Sequence, residues 1–383
     1  MNIAQKLTIQ LIRYEIADIS VDKELLEAVT DDVLKSVYTF SVEQDVAYIV
    51  GSALSKLGFL DGDIKAAFFN EQLSSVYRSE QFKHELNNIF DILSNNNITY
   101  IPLKGAVIKK YYSKPEMRTS CDVDILIHNE DLEKSLELLY ANGFKYVSKC
   151  QHDVMLSSPA NVYIELHYTL NEYEFAADEI LKNAWDYAKP INGLEYEFDT
   201  YFFVFYHLAH IARHMYTGGC GIRPFADLCI ILRRMDFAFD KLNELLRQSG
   251  LERFAESAFN LTNYWFGDNQ DISQVETELQ NYILKSGIYG NLKNKITVIN
   301  EKNGNKSTYI RKIIFPPMEI MKKKYHILNT TPYLLPAMYV YRWIESLFKG
   351  SYRMSFKYLA VSKSITAEKQ NEVAKLMKNL DLM

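Results

Sequence analysis

The stretch that decides the fold is Asp122–Val123–Asp124–Ile125–Leu126–Ile127–His128. It is β-branched and alternating, so it predicts a strand. Residues i and i+2 of a strand share a face. Val123, Ile125 and Ile127 therefore point to a core, and Asp122 and Asp124 project together on the other side. Two adjacent carboxylates repel unless a cation or a proton sits between them. Hard oxygen ligands at this spacing suit Mg²⁺, and two such ions ~4 Å apart can clamp the attacking and leaving oxygens of phosphoryl transfer.

Working outward, Val162–Tyr163–Ile164–Glu165–Leu166–His167–Tyr168 predicts a second strand, with Val162, Ile164 and Leu166 on one face and Tyr163, Glu165 and His167 on the other. If it lies beside the first, Glu165 completes the site as metal ligand or as general base for an acceptor hydroxyl. Upstream, Ile98–Thr99–Tyr100–Ile101 predicts a strand ending at Pro102–Leu103–Lys104–Gly105, with a short helix from Ala106 to Tyr112. Gly105 at that turn permits backbone N–H groups to approach phosphate, and a helix start favours anions. Lys104 adds a point charge, and Arg118 a fork that fits a triphosphate. A helix over Leu132 to Tyr140, opened by Asn129 and closed by Asn142–Gly143, and strands over Phe144–Ser148 and Asp153–Ser157 complete a mixed α/β unit.

This unit sits between helical segments. Apolar residues recur at three and four through Leu7, Leu11, Ile12 and Ile16, then Leu25, Val29, Val33 and Val37, and again from Glu71 to Leu93. Residues 1–95 are thus expected as a helical region, 96–198 as the α/β core and 199–383 as a second helical region with a basic tail. In the latter, Tyr201 to Met215 predicts an apolar helix carrying His207, His210 and His214, which share one face. Phe225 to Met235 predicts another. The histidines can hydrogen-bond a substrate or Asp227, or hold zinc. Arg223 can contact a phosphate or form a structural ion pair near Asp227.

Composition narrows the class. With 48% hydrophobic and 24% charged residues over 383 positions, the chain is globular rather than disordered. The net charge of −5 divides into +9 from Lys306 onward and −14 before it. The acidic bulk makes nucleic acid an unlikely general partner, and the tail can serve a polyanion, a membrane surface or plain solvation. Its aromatics, Tyr325, Tyr333, Tyr339, Tyr341, Trp343, Phe348 and Tyr352, are expected to pack against the helical region. Cys121, Cys150, Cys220 and Cys229 show no CxxC spacing, which fits a reducing compartment. Arg13 and Glu15 interrupt the N-terminal apolar stretch, and no run approaches the ~18 residues of a membrane span, so a cytoplasmic protein is expected. P-loop, G-x-S-x-G and H-E-x-x-H signatures are absent.

Together, Leu103–Lys104–Gly105, Arg118 through Ile127, Asn142–Gly143–Phe144 and Ile164–Glu165–Leu166–His167 resemble the bacterial proteins described as uncharacterised nucleotidyltransferases, within the DNA polymerase β-like superfamily. His207–Leu208–Ala209–His210, Gly221 through Leu228, Phe315–Pro316–Pro317 and Leu334–Leu335–Pro336 extend the likeness over roughly residues 75–350. The resemblance implies an α+β fold with a small mixed sheet and helical flanks. It also implies transfer of a nucleoside monophosphate from an NTP to a hydroxyl or phosphate of a small molecule or glycan intermediate. Asp122, Asp124 and Glu165 would be catalytic and metal-binding carboxylates for one or two Mg²⁺ ions. Lys104, Gly105, Arg118 and His167 would serve the nucleotide, and His210, His214, Arg223 and Asp227 the substrate. One position departs: the superfamily usually has Gly-Ser or Gly-Gly where this chain has Gly105–Ala106. The hydroxyl is missing and Lys104 is its substitute. The same departure supports an alternative, a catalytically silent binding or scaffold protein on this fold.

Overall fold

The computed structural model describes residues 1–120, 122–171, 177–287, 290–302, 311, 314–348, 360–361 and 364–383. Five N-terminal helices, α1 (Ile3–Ala17), α2 (Lys23–Glu27), α3 (Asp31–Glu43), α4 (Ala47–Lys56) and α5 (Gly62–Asn95), lead into the sheet. Asn2 and Gln5 close a capping box on α1, which satisfies two otherwise orphaned N–H groups. The 34-residue α5 stops where Asn97 takes a left-handed φ of 55°.

The strands are β1 (Tyr100–Pro102), β2 (Asp122–Ile127), β3 (Lys145–Lys149), β4 (Asp153–Ser157), β5 (Tyr163–His167), β6 (Ala188–Asn192) and β7 (Glu195–Phe198), with α6 (Lys104–Ile108) after β1 and α7 (Leu132–Ala141) after β2. They form one mixed sheet in the order β3-β4-β5-β2-β1-β7-β6. β2 runs parallel to β5, and β1 antiparallel to β2. The predicted strands are present with ends shifted by a residue or two. The helix expected over Ala106 to Tyr112 begins at Lys104 and tightens into a 3₁₀ turn over Lys109–Tyr111. Asn129 opens a 3₁₀ turn rather than capping α7 directly.

The two faces of the sheet have different fates. Val123, Ile125, Ile127, Ile164, Leu166, Val154 and Leu156 are buried with Ile89 and Leu93 of α5 and Leu136 and Leu139 of α7. On the opposite face Leu126 joins a larger core built by the N-terminal helices and by α9 (Thr200–Thr217), α10 (Arg223–Arg234), α11 (Phe239–Ser249), α12 (Glu252–Phe266) and α13 (Gln274–Leu284). α8 (Asp178–Leu181) precedes β6. α9 is apolar nearly all round, with Phe202, Phe205, Leu208, Ile211 and Met215 buried, as befits a helix packed on several sides. Each such side chain contributes roughly 1.5–3 kcal/mol by leaving water.

Downstream lie α14 (Leu292–Lys302), α15 (Met318–Lys324), α16 (Ile327–Thr330), α17 (Leu335–Phe348) and α18 (Ala367–Asn379). The tail divides. Val373, Leu376, Met377, Leu380 and Leu382 enter the main core. Phe315 instead packs its ring edge-on to Tyr339 and Trp343, and Tyr333 and Tyr341 stay exposed. The expectation that the aromatics pack against the helical body is therefore corrected for Tyr333, Tyr341 and Trp343, all three of which are exposed. The aliphatic residues of α18 supply the packing instead. Tyr352 lies outside the described residues. Among the described residues no helix is long and apolar enough to cross a membrane.

Because α18 is part of the core, Met377→Ala should lower stability by about 2–5 kcal/mol in urea denaturation. A fragment ending at Asn305 should be insoluble or show no cooperative transition.

Candidate active site

The parallel register sets Asp124 opposite Glu165 and Leu126 opposite His167. Asp122, Asp124, Glu165 and His167 therefore rise from the same face of two neighbouring strands. The third contributor arrives from β1. The Leu103 N–H donates to the Asp124 carbonyl at 3.0 Å, so the next residue, Lys104, leaves the sheet beside that carboxylate. Its Nζ donates to Asp124 Oδ1 at 2.7 Å and lies 3.9 Å from Glu165 Oε2. His167 Nε2 is 3.2 Å from Asp124 Oδ1 and 3.4 Å from Glu165 Oε2.

These distances fix the charge states. Burial alone would raise Asp124, but Lys104 and His167 hold it well below the usual carboxylate range. Burial likewise opposes charge on His167, yet its bonds to Asp124 and Glu165 lift it to about 9. Asp122 is in direct contact with neither. Burial first and the Asp124 charge second push it up to about 6, and the more distant Lys104 charge only moderates the shift. Ser120 donates to its carbonyl at 3.2 Å.

A cavity of about 340 Å³ opens over this face and is lined by every residue expected from the sequence: Lys104, Gly105, Arg118, Asp122, Asp124, Glu165, His167, His210, His214, Arg223 and Asp227. Several have neighbours other than those expected. Arg118 Nε lies 3.1 Å from both oxygens of Asp227, and the Tyr112 hydroxyl donates to Asp227 Oδ1 at 2.9 Å. The Nε–Nη2 edge of the arginine is thus engaged in the cavity wall, tying the segment before β2 to α10, while its buried Nη1 has no hydrogen-bond partner. Arg223, read from the sequence as near Asp227, reaches Asp45 and the Thr119 carbonyl instead. His207 Nε2 lies 2.9 Å from the Pro224 carbonyl. His210 and His214 share an Nε2···Nε2 contact of 2.9 Å. Burial, then the Lys104 charge, keeps both neutral, His210 well below the usual imidazole range and His214 at about 4. Gly105 has a steric reason beyond the turn: a Cβ there would lie 2.5 Å from Arg118 Nη1 and 2.9 Å from Ser120 Oγ.

Asp45, Ser120 and His152 were not foreseen. Ser120 and His152 line the cavity, and His152 sits 3.0 Å from Asp153. Ser120, two residues before Asp122, was open to discovery from the strand periodicity. Asp45 lies in the turn between α3 and α4, where no pattern marks it.

Among the described residues, one group of three or more potential donors converges: Asp124, Glu165 and His167, with ligand atoms within 4.8 Å of one another. Residues 34–267 match the family described as uncharacterised nucleotidyltransferase. The chain belongs to that family. The match spans the helices from α3, the whole sheet and α9 to α12, so the acidic face and its cavity lie inside the family's domain. No functionally curated protein matches the chain. Among solved structures, the solution structure of antibiotic-resistance factor ANT(2'')-Ia is similar at 12% identity, covering 47% of this chain and 95% of that one with a TM-score of 0.35. That is a distant likeness and no more.

Asp122 provides a direct test of the repulsion. The native state keeps its proton up to about pH 6, while an unfolded chain releases it near 3.9. Stability therefore falls as pH rises between these values, and the cost, ~2–3 kcal/mol at most, persists above pH 6. Asp122→Asn should raise Tm at pH 7.5 in EDTA, with the gain shrinking toward pH 4.5. Gly105→Ala should cost ~1–3 kcal/mol by overpacking against the pinned Arg118, read as a lower urea midpoint.

Proposed function

We propose that the chain is a Mg²⁺-dependent nucleotidyltransferase, moving a nucleoside monophosphate from an NTP to a hydroxyl or phosphate of a small molecule or glycan intermediate. The observation that carries this reading is the register that sets Asp124 beside Glu165, with Asp122 on the same face, under a cavity inside the family's domain. On this reading residues 96–198 are the catalytic core, and the helical regions 1–95 and 199–383 close over it.

The donor set fits a divalent ion. Two acids converge with an imidazole that would give up its proton to ligate, and Asp122 is held as a strained carboxylate whose repulsion a cation would relieve. Asp122, Asp124 and Glu165 would hold the metal, with His167 at its edge. When bound, the ion neutralises charge developing on the transferred phosphoryl group. The chain supplies the rest. Lys104 presents its ammonium to phosphate oxygens. Glu165, partly open to the cavity, accepts the proton of the acceptor hydroxyl. The neutral pair His210–His214 offers a hydrogen-bonding wall that adds no charge opposite the acids. Arg118 and Asp227, paired in the cavity wall, hold the segment before β2 against α10.

A second reading has its own observation. The Lys104 ammonium already neutralises Asp124, as in a protein that has kept the fold and dispensed with the metal. Pyrophosphate release separates the two. Each NTP is incubated with Mg²⁺ and acceptor-containing extract, and release should fall at least 100-fold in Asp124→Asn while its far-UV CD is unchanged. Silence with every NTP, together with no nucleotide binding by calorimetry, would favour the binding or scaffold protein.

A further inference from the structure

We propose that Lys104 is a built-in occupant of the cation position. Its ammonium neutralises Asp124 when metal is absent, and it leaves when metal and nucleotide arrive together. The inference rests on the nucleotidyl-transfer reading and assigns that site an order of binding.

Three observations carry it. First, the acceptor atom of Lys104 Nζ is Asp124 Oδ1, at 2.7 Å, and the same oxygen faces His167 Nε2 at 3.2 Å. Asp124 and His167 both belong to the converging donor group. An ammonium at that distance and a divalent ion on the same carboxylate would be like charges within a few ångströms, so they exclude each other. Second, Lys104 adopts a φ of 38°. A long side chain rarely takes this left-handed backbone, and such a conformation persists only where surrounding contacts hold it. Here β1 pairing on one side and the ion pair on the other hold it. Third, the side chain is one-fifth exposed and flexible along four carbons. It already lines the cavity that a nucleotide would enter.

The charge balance gives the order. On this face the Lys104 ammonium stands 2.7 Å from Asp124 and 3.9 Å from Glu165, so it already takes the place of a cation between the two acids. A divalent ion entering alone would have to displace Lys104 from Asp124 and leave its ammonium in the cavity with nothing to receive it. A triphosphate supplies the receiving charge. Metal and nucleotide should therefore bind with positive coupling, each raising the other's affinity by the same factor.

The test is Mn²⁺ binding, followed by electron paramagnetic resonance and calorimetry, with and without a non-hydrolysable NTP. In the wild-type chain, Mn²⁺ should bind at least ten-fold more weakly without the nucleotide than with it. Lys104→Met should bind Mn²⁺ alone at least ten-fold more tightly than wild type and lose most of the nucleotide enhancement. Lys104→Arg, which keeps the charge, should behave like wild type. If the methionine variant does not fold, Lys104→Gln is read by the same titration. Unchanged or weaker Mn²⁺ binding in the uncharged variant overturns the inference. If wild type nevertheless binds and turns over Mg²⁺·NTP, nucleotidyl transfer survives that result. Tighter Mn²⁺ binding in the variant, with no nucleotide bound by either protein, supports the cation role and counts against nucleotidyl transfer.

Discussion

The parallel pairing of β2 with β5 is the constraint on which the rest depends. It sets Asp124 against Glu165 and brings His167 within reach of both. A slip of β2 by one residue would turn Asp122 and Asp124 into the apolar layer under α5 and α7 and bring Val123 and Ile125 to the cavity. The register is thus guarded by hydrophobic burial on the face away from the chemistry. The acids need not favour one another for the strands to pair as they do.

Around that pairing the molecule separates duties. The sheet supplies the charged floor. Buried Arg118, Asp227 and Tyr112 supply the mortar between floor and helices. Such a buried pair is weak evidence for added stability but costly to break on one side, so it fixes geometry more than it deepens the energy well. Arg223 and Asp45 make a second tie from α10 to the turn after α3. In this way the helices on either side of the sheet in sequence are held to one cavity.

Much of this was legible in the sequence, for reasons particular to each segment. Alternation in residues 122–128 and 162–168 disclosed both strands and the faces of their acids, because one face of each must be apolar. The apolar period of α9 disclosed its three histidines. Pairing order was not legible, since no local pattern says which strands are neighbours. β6 was missed because Lys189 and Pro190 interrupt its apolar pattern, and β7 because its alternation lasts only the four residues Glu195–Phe198, although Asn192–Gly193, with Gly193 at φ 59°, is a hairpin signal. The partner of Arg223 was misread because Asp227 is near in sequence while Asp45 is near only in space. The roles of Arg118 and Gly105 turned on a steric contact between them, which no spacing rule encodes.

The cavity also has two ages in the folding of a single chain. Its floor, Lys104 to His167, comes from one short and continuous stretch, whereas the tie between Asp45 and Arg223 closes a loop of 178 residues. Closing long loops costs chain entropy before any contact rewards it. A nascent chain can therefore assemble the acid face while it is still roofless and open to solvent ions. The histidine wall and the Arg223 tie then descend on a floor where Lys104 already pairs with Asp124.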